Sequence, residues 1–250
     1  MNIDVAFTPL EVQALSTKVC IVVDVIRATS SLTVIMSRKP RNVIITSTVQ
    51  KAVKHSSQQA VHPLLCGERG GLPPEGFDHG NSPREYAEAD LAGRNLVFTS
   101  SNGARAVADV SIAPHVLLGS FLNASFVVEE AIQLAWRDNL DILIVCAGRQ
   151  EKFAIDDAYC AGYLISLLTG RISADQAFTL GDGGQGALGI YGYFRDPKKL
   201  FSSCGSGEEV IQIGLEEDIA FLLEIDQFQT VPSLNHPHQT TTPWGFFLLP

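Results

Sequence analysis

Along the chain, dense apolar runs recur, each followed by a stretch rich in glycine, hydroxyls or charge. Residues 19–23, VCIVV, are apolar without interruption, which predicts a strand covered on both faces. From Ala28 onward the apolar positions open to the wider spacing of Leu32, Ile35 and Met36, which predicts a helix. The same alternation predicts strands over 42–47, 61–66, 95–100, 115–120 and 141–148. Helices are expected over 48–60, within SNGARAVAD (101–109), over 123–137 and over 156–169. Strand–loop–helix repeated in this way is the pattern of an α/β protein, a largely parallel or mixed β-sheet layered with helices. In such sheets ligands gather at the carboxyl ends of the strands.

Two later segments break the rhythm. Residues 181–209 are glycine-rich and locally charged, and predict a long loop or a hairpin crossing near the site. EEDIAFLLEI (216–225) predicts a helix. The whole of 1–250 is expected to form one α/β domain, with two intertwined lobes (about 1–120 and 121–232) as the alternative, and an irregular tail at 233–250. That tail ends in WGFFLLP, so it should pack on the body of the protein or on a second copy in a homodimer.

Composition narrows the function classes. Hydrophobic residues make up 46% of the 250, enough for a substantial core. A net charge of −9 argues against a broad nucleic-acid footprint. It leaves room for a small anionic ligand held by a few arginines and a metal ion. The five cysteines show no CxxC pair or regular spacing, the pattern of free thiols in a reducing cytosol. No basic leader and no apolar run long enough to span a bilayer is visible, so a cytoplasmic location without membrane contact is expected.

The residues with chemistry fall just after the predicted strands. In VVDVIRATSS, Asp24 ends a buried strand, and Arg27 with the following hydroxyls opens a helix. The pair is either an internal ion pair with a helix cap, or a cation ligand beside an anion site. In CGERGGLPPEGFDHGNSP (66–83), Glu68, Arg69, Asp78, His79, Asn81 and Ser82 lie among glycines at 67, 70, 71, 76 and 80. Such a stretch is an ordered Ω-loop or the rim of a site that combines an amide nest with a hard oxygen ligand. TSSNGARA (99–106) places Ser101, Asn102 and Gly103 at a strand-to-helix junction with Arg105 just inside the helix, suited to an anion or to a plain cap. CAGRQEKFAIDDAYCAG (146–162) adds Arg149 and the adjacent acids Asp156 and Asp157. The six histidines show no HExxH or other metal spacing. Several carboxylates with a few arginines and no soft ligands suit Mg²⁺ and a small polyanion.

As an ordered set these four blocks, with the later GLEEDIAFLLEIDQFQTVP (214–232), resemble the 2-phosphosulfolactate phosphatase family, from about residue 4 to 232. The resemblance implies Mg²⁺-dependent hydrolysis of 2-phospho-3-sulfolactate to 3-sulfolactate and inorganic phosphate, a step of coenzyme M synthesis. A phosphatase of another small phosphorylated acid and a non-catalytic anion-binding protein are the alternatives. By motif position, the metal ligands would come from Asp24, Glu68, Asp156 and Asp157, and the catalytic groups would be Asp24, Arg27, Glu68 and Asp157. Arg69, Asp78, Asn81, Ser82, Ser101, Asn102, Gly103, Arg105 and Arg149 would bind substrate. The chain departs from the family pattern at Ala104, which replaces a hydroxyl, and at Asp156, which replaces a glutamate. No DxDx(T/V) motif is present, so attack by water and attack by a side chain both stay open.

Overall fold

Strand β2 (Lys18–Val23) lies between β6 (His115–Gly119) and β7 (Asp141–Cys146), parallel to both. Its residues 19 to 23 are fully buried, because Val19, Ile21 and Val23 face one hydrophobic core while Cys20 and Val22 face another. That is the expected behaviour of a central parallel strand with helices on both faces. The computed structural model describes residues 1–172, 177–235 and 245–249.

The remaining strands are β1 (Asn2–Ala6), β3 (Asn42–Thr46), β4 (Leu64–Gly67), β5 (Asn95–Thr99), β8 (Thr179–Leu180), β9 (Ser233–Leu234) and β10 (Gly245–Leu248). They complete a ten-stranded sheet in the order β4-β5-β3-β10-β9-β6-β2-β7-β1-β8. Every pairing is parallel except β6 with β9, so the fold is α/β with a mixed, largely parallel sheet. One face is covered by α1 (Ala28–Ser37), α3 (Pro83–Glu88) and α4 (Gly103–Asp109). The other carries α5 (Ala124–Asp138), α6 (Ile155–Arg171) and α7 (Asp182–Tyr193). Helix α2 (Val49–Ser57) follows β3 and starts at Thr48, whose side chain accepts from the Lys51 amide. Helices α8 (Pro197–Ser203), α9 (Gly205–Gln212) and α10 (Glu216–Leu222) follow α7. No helix among the described residues is long and apolar enough to cross a membrane. All five cysteines are buried and free.

Two expectations are corrected, and one strand stands where none was foreseen. First, the glycine-rich 181–209 is neither loop nor hairpin but contains α7, α8 and most of α9. Close packing overrides the poor helix propensity of its glycines. A side-chain carbon on Gly162 of α6 would lie 2.1 Å from the Ala187 carbonyl of α7, so small residues on these two helices are what permit the contact. Second, β1 carries no dense apolar run, yet it is a strand between β7 and β8, with Ile3 and Val5 buried. Third, the tail is not irregular where it is described, since β9 and β10 fill the centre of the sheet. Phe246, part of the apolar ending, is fully buried inside its own chain. Residues 236–244 and 250 of the tail lie outside the described residues.

Candidate active site

Because β2, β4, β5 and β7 run parallel, the loops at their carboxyl ends meet on one edge of the sheet. A cavity of about 260 Å³ opens there, walled by Asp24, Arg27, Glu68, Asn81, Ser101, Asn102 and Arg149. The sequence had marked each of these side chains, and the fold brings all seven together. Ile26, Gly70, Gly71, Gln150, Ser206, Glu209 and Val210 complete the wall.

Asp24 follows the last residue of β2 and is 7% exposed. Its carboxylate accepts the Ala28 amide at 3.4 Å, and the Gly103 amide also donates to it. A Cβ on Gly103 would stand 2.7 Å from Asp24 Oδ2 and from the Ala28 Cβ, so a glycine is required for the β5–α4 junction to come this near. Glu68 enters from β4, where Gly67 takes a φ of +120° and its missing Cβ leaves room for the Thr99 carbonyl. Glu68 Oε1 accepts the Ser101 amide at 2.6 Å, and Oε2 accepts the Gly71 amide at 3.0 Å. The amides at the β5–α4 junction, read from sequence as an anion site, are therefore directed at two carboxylates of the chain itself.

Behind the cavity wall, Asp156 and Asp157 open helix α6, each 2% exposed. Asp157 accepts the Val25 amide at 2.9 Å and the Gly148 amide at 3.0 Å, so it ties the β2 and β7 loops together. These acids are held far from their ordinary ionisation. Burial, reinforced by the charges of Glu68 and Asp156, raises Asp24 from 3.8 to about 7. Burial raises Asp156 from 3.8 to about 6, against the pull of the Ser206 and Cys204 side chains and of Arg149. Asp157 is raised as well, by burial and then by Asp156 and Asp24. In the window between about 4 and about 7, the native state keeps protons that the unfolded chain has released. Stability from these groups is thus present below that window and lost as pH rises through it. A melting series in EDTA should show the midpoint falling from about pH 5 to about pH 8; a midpoint that climbs over that range would contradict this electrostatic picture.

The two arginines of the wall are held differently. Arg27 is 3% exposed; its Nη1 donates to Asp218 Oδ2 at 3.0 Å and its Nη2 to the Gly71 carbonyl at 2.7 Å. Asp218, on α10, is 1% exposed and also accepts the Ser82 hydroxyl at 2.7 Å. Arg149 instead pairs with Glu209 of α9 in a half-exposed contact. Sequence reasoning missed Asp218, Ser206 and Glu209. Asp218 did leave a signal: it lies four residues before the fully buried Leu222, so it is an acid on the buried face of a helix.

Several candidates from the sequence stand outside the cavity. Arg69 donates to the Glu68 and Ser47 carbonyls and to the Thr99 hydroxyl, which staples its loop to the sheet. Asp78 accepts the Leu65 amide at 2.8 Å and pins the returning end of that loop to β4. His79 pairs with Glu85 at 2.9 Å. Ser82 caps α3 and holds Asp218, and Arg105 points to Glu151 at the surface. Gly103 acts from behind Asp24.

The donor set can be tested against a divalent cation. Among the described residues, no three or more His, Cys, Asp or Glu side chains are gathered as a metal-ligand group. Mg²⁺ in phosphate-handling sites, however, takes one or two carboxylates and completes its coordination with water and substrate oxygens. Asp24 and Glu68 are hard oxygen donors on one cavity, and Asn81, which lines the same cavity, has its Oδ1 buried without a hydrogen-bond partner. Two carboxylates and a neutral amide oxygen, supplied by residues that line one cavity, are donors of the kind Mg²⁺ takes.

Fold and site together define an α/β protein with an acid-walled, arginine-bearing pocket at its strand ends, the arrangement of an enzyme acting on a small anion. Comparison with known proteins is consistent with this class. The family described as 2-phosphosulpholactate phosphatase matches residues 6–237. A probable 2-phosphosulfolactate phosphatase of Clostridium acetobutylicum is 32% identical over 234 residues, covering 93% of this chain and 97% of the relative. Proteins of the same description from Thermotoga maritima and Thermus thermophilus are 31% and 34% identical, over 93% and 86% of this chain and 95% and 87% of their own lengths. The chain belongs to the 2-phosphosulfolactate phosphatase family, and is thus a phosphoric monoester hydrolase.

Proposed function

We propose that the chain hydrolyses 2-phospho-3-sulfolactate in a Mg²⁺-dependent reaction, giving 3-sulfolactate and inorganic phosphate, the chemistry of coenzyme M synthesis. The observation that carries this reading is one small cavity lined by the carboxylates of Asp24 and Glu68 and by Arg27 and Arg149. Water adds to phosphorus, the ester P–O bond breaks, and a proton ends on the released hydroxyl. Asp24 and Glu68 would hold the cation, with Asn81 Oδ1 as a neutral oxygen beside them. Bound there, Mg²⁺ would supply positive charge for a phosphoryl group and lower the pKa of a water molecule. Arg27, fixed by Asp218, would offer its remaining N–H donors to the phosphoryl group and stabilise charge that develops during transfer. Arg149 takes the acid end of the substrate.

The test is phosphate release from 2-phospho-3-sulfolactate, phospholactate and phosphoglycerate, each with Mg²⁺ and with EDTA. Preference for the sulfonate in Mg²⁺, lost in EDTA, is expected. A preference for another acid would reassign the substrate, and no release from any would leave an anion-binding protein. The metal has its own readout: Mg²⁺ should raise the melting temperature more at about pH 8 than at about pH 5.5, because protons compete for the same carboxylates at the lower value.

A further inference from the structure

The cavity uses its two arginines in opposite ways, and the difference bears on selectivity. Arg27 is bound to a carboxylate as buried as itself. Arg149 is bound to Glu209, and the two side chains are 37% and 48% exposed. Exposed ion pairs contribute little, so opening this one lowers ligand affinity by only about fivefold or less. Both partners line the cavity. Arg149 also has an unmet need, since its Nε is buried with no hydrogen-bond partner. Asn81, which also lines the cavity, carries a second such atom, its Oδ1, out of only four side-chain atoms of that kind among the described residues. Gly205 packs on one side of the guanidinium: a Cβ there would lie 2.9 Å from Arg149 Nη1 and 3.3 Å from its Cζ, so any larger residue would displace it. The group thus has a half-exposed carboxylate partner on its Nη2 and an unpartnered donor at Nε.

We propose that Glu209 is a gate for the acid end of the substrate: it occupies Arg149 in the free enzyme and gives it up to a carboxylate or sulfonate of the incoming ligand. This inference rests on the reading of the cavity as a site for phosphorylated acids. A ligand anion that replaces Glu209 can take two parallel N–H donors from the guanidinium, a geometry a planar fork favours. A phosphate ester without a second anionic group has nothing to exchange for Glu209. The pair therefore selects phosphorylated acids over plain phosphate esters, and Glu209 acts as a specificity-determining residue through Arg149.

The test compares Glu209→Gln and Arg149→Met with the unmodified protein on 2-phospho-3-sulfolactate and on p-nitrophenyl phosphate. The ratio of kcat/KM for the acid to that for the plain ester should rise about threefold to fivefold in Glu209→Gln, the weight of the exposed pair. In Arg149→Met the same ratio should fall about tenfold or more, with the loss in KM rather than kcat. In parallel, calorimetry with 3-sulfolactate and Mg²⁺ should give tighter binding to Glu209→Gln and weaker binding to Arg149→Met. An unaltered or lowered ratio in Glu209→Gln, or equal gains on both substrates, would overturn the gate. If no variant releases phosphate, the phosphatase reading fails on its own, and the 3-sulfolactate affinities still decide whether Glu209 competes for Arg149.

Discussion

Asp24→Asn is expected to lower Mg²⁺-dependent phosphate release by about 10²–10³-fold, the range seen when one preorganised charge-stabilising group is removed. The substitution keeps the shape and one acceptor oxygen, so the Ala28 or Gly103 amide still finds a partner. What disappears is the negative charge at the end of β2, on a cavity-lining carboxyl that burial raises to about 7. A neutral amide is a far weaker Mg²⁺ ligand than a carboxylate, so the loss should be accompanied by a smaller melting-temperature response to Mg²⁺. Steady-state phosphate release and thermal melts on the same preparation check both parts. Activity within tenfold of the unmodified protein, with an intact Mg²⁺ response, would remove Asp24 from the centre of the site.

Asp218→Ala should produce the largest stability change. The variant leaves the Arg27 guanidinium buried with one partner fewer and strips the Ser82 hydroxyl of its acceptor. Breaking a buried pair on one side costs about 3–5 kcal/mol. For a chain of 250 residues that is a drop of roughly 6–20 °C in melting temperature. Activity of the surviving folded fraction should fall about 10–100-fold, because Arg27 loses the group that aims it, as happens when ligand-orienting partners are removed elsewhere. The double variant Arg27→Met/Asp218→Leu separates the two roles. Replacing both charges with apolar groups of similar size is often neutral for stability, so its melting temperature should recover while activity does not. Recovery of both would mean that Arg27 serves only the fold.

The legible part of this protein was its strand–loop–helix rhythm and the residues standing at its strand ends. Asp24, Glu68, Ser101, Asn102 and Arg149 were visible because each follows a dense apolar run, and a parallel sheet places such positions on one edge. The partners of those residues were not visible in the same way. Asp218 joins Arg27 across 191 positions of sequence, inside a helix that reads as ordinary amphipathic structure. Ser206 and Glu209 come from the glycine-rich segment, where low local propensity pointed to a loop and close helix packing produced helices instead. Arg69 and Arg105 carried the right charge in the right blocks, but one is used to staple a loop and the other faces a surface glutamate. Local chemistry identifies which residues stand near a site; only the fold decides which of them are already occupied by a neighbour.

The position of β10 has a consequence for how the sheet can be taken apart. It pairs Phe247 with Ile44 on one side and Phe246 with Leu234 on the other, so among the described residues it is the one strand that joins the β4-β5-β3 group to the rest of the sheet. Without β10, β3 and β9 would each show an open row of amide and carbonyl groups, the kind of edge that templates pairing between chains. The first group contributes Glu68 and Ser101 to the cavity, and the other contributes Asp24 and Arg149. A fragment that stops short of residue 245 would therefore lose the backbone seam joining the two sides of the pocket, although it would still contain every residue that lines it.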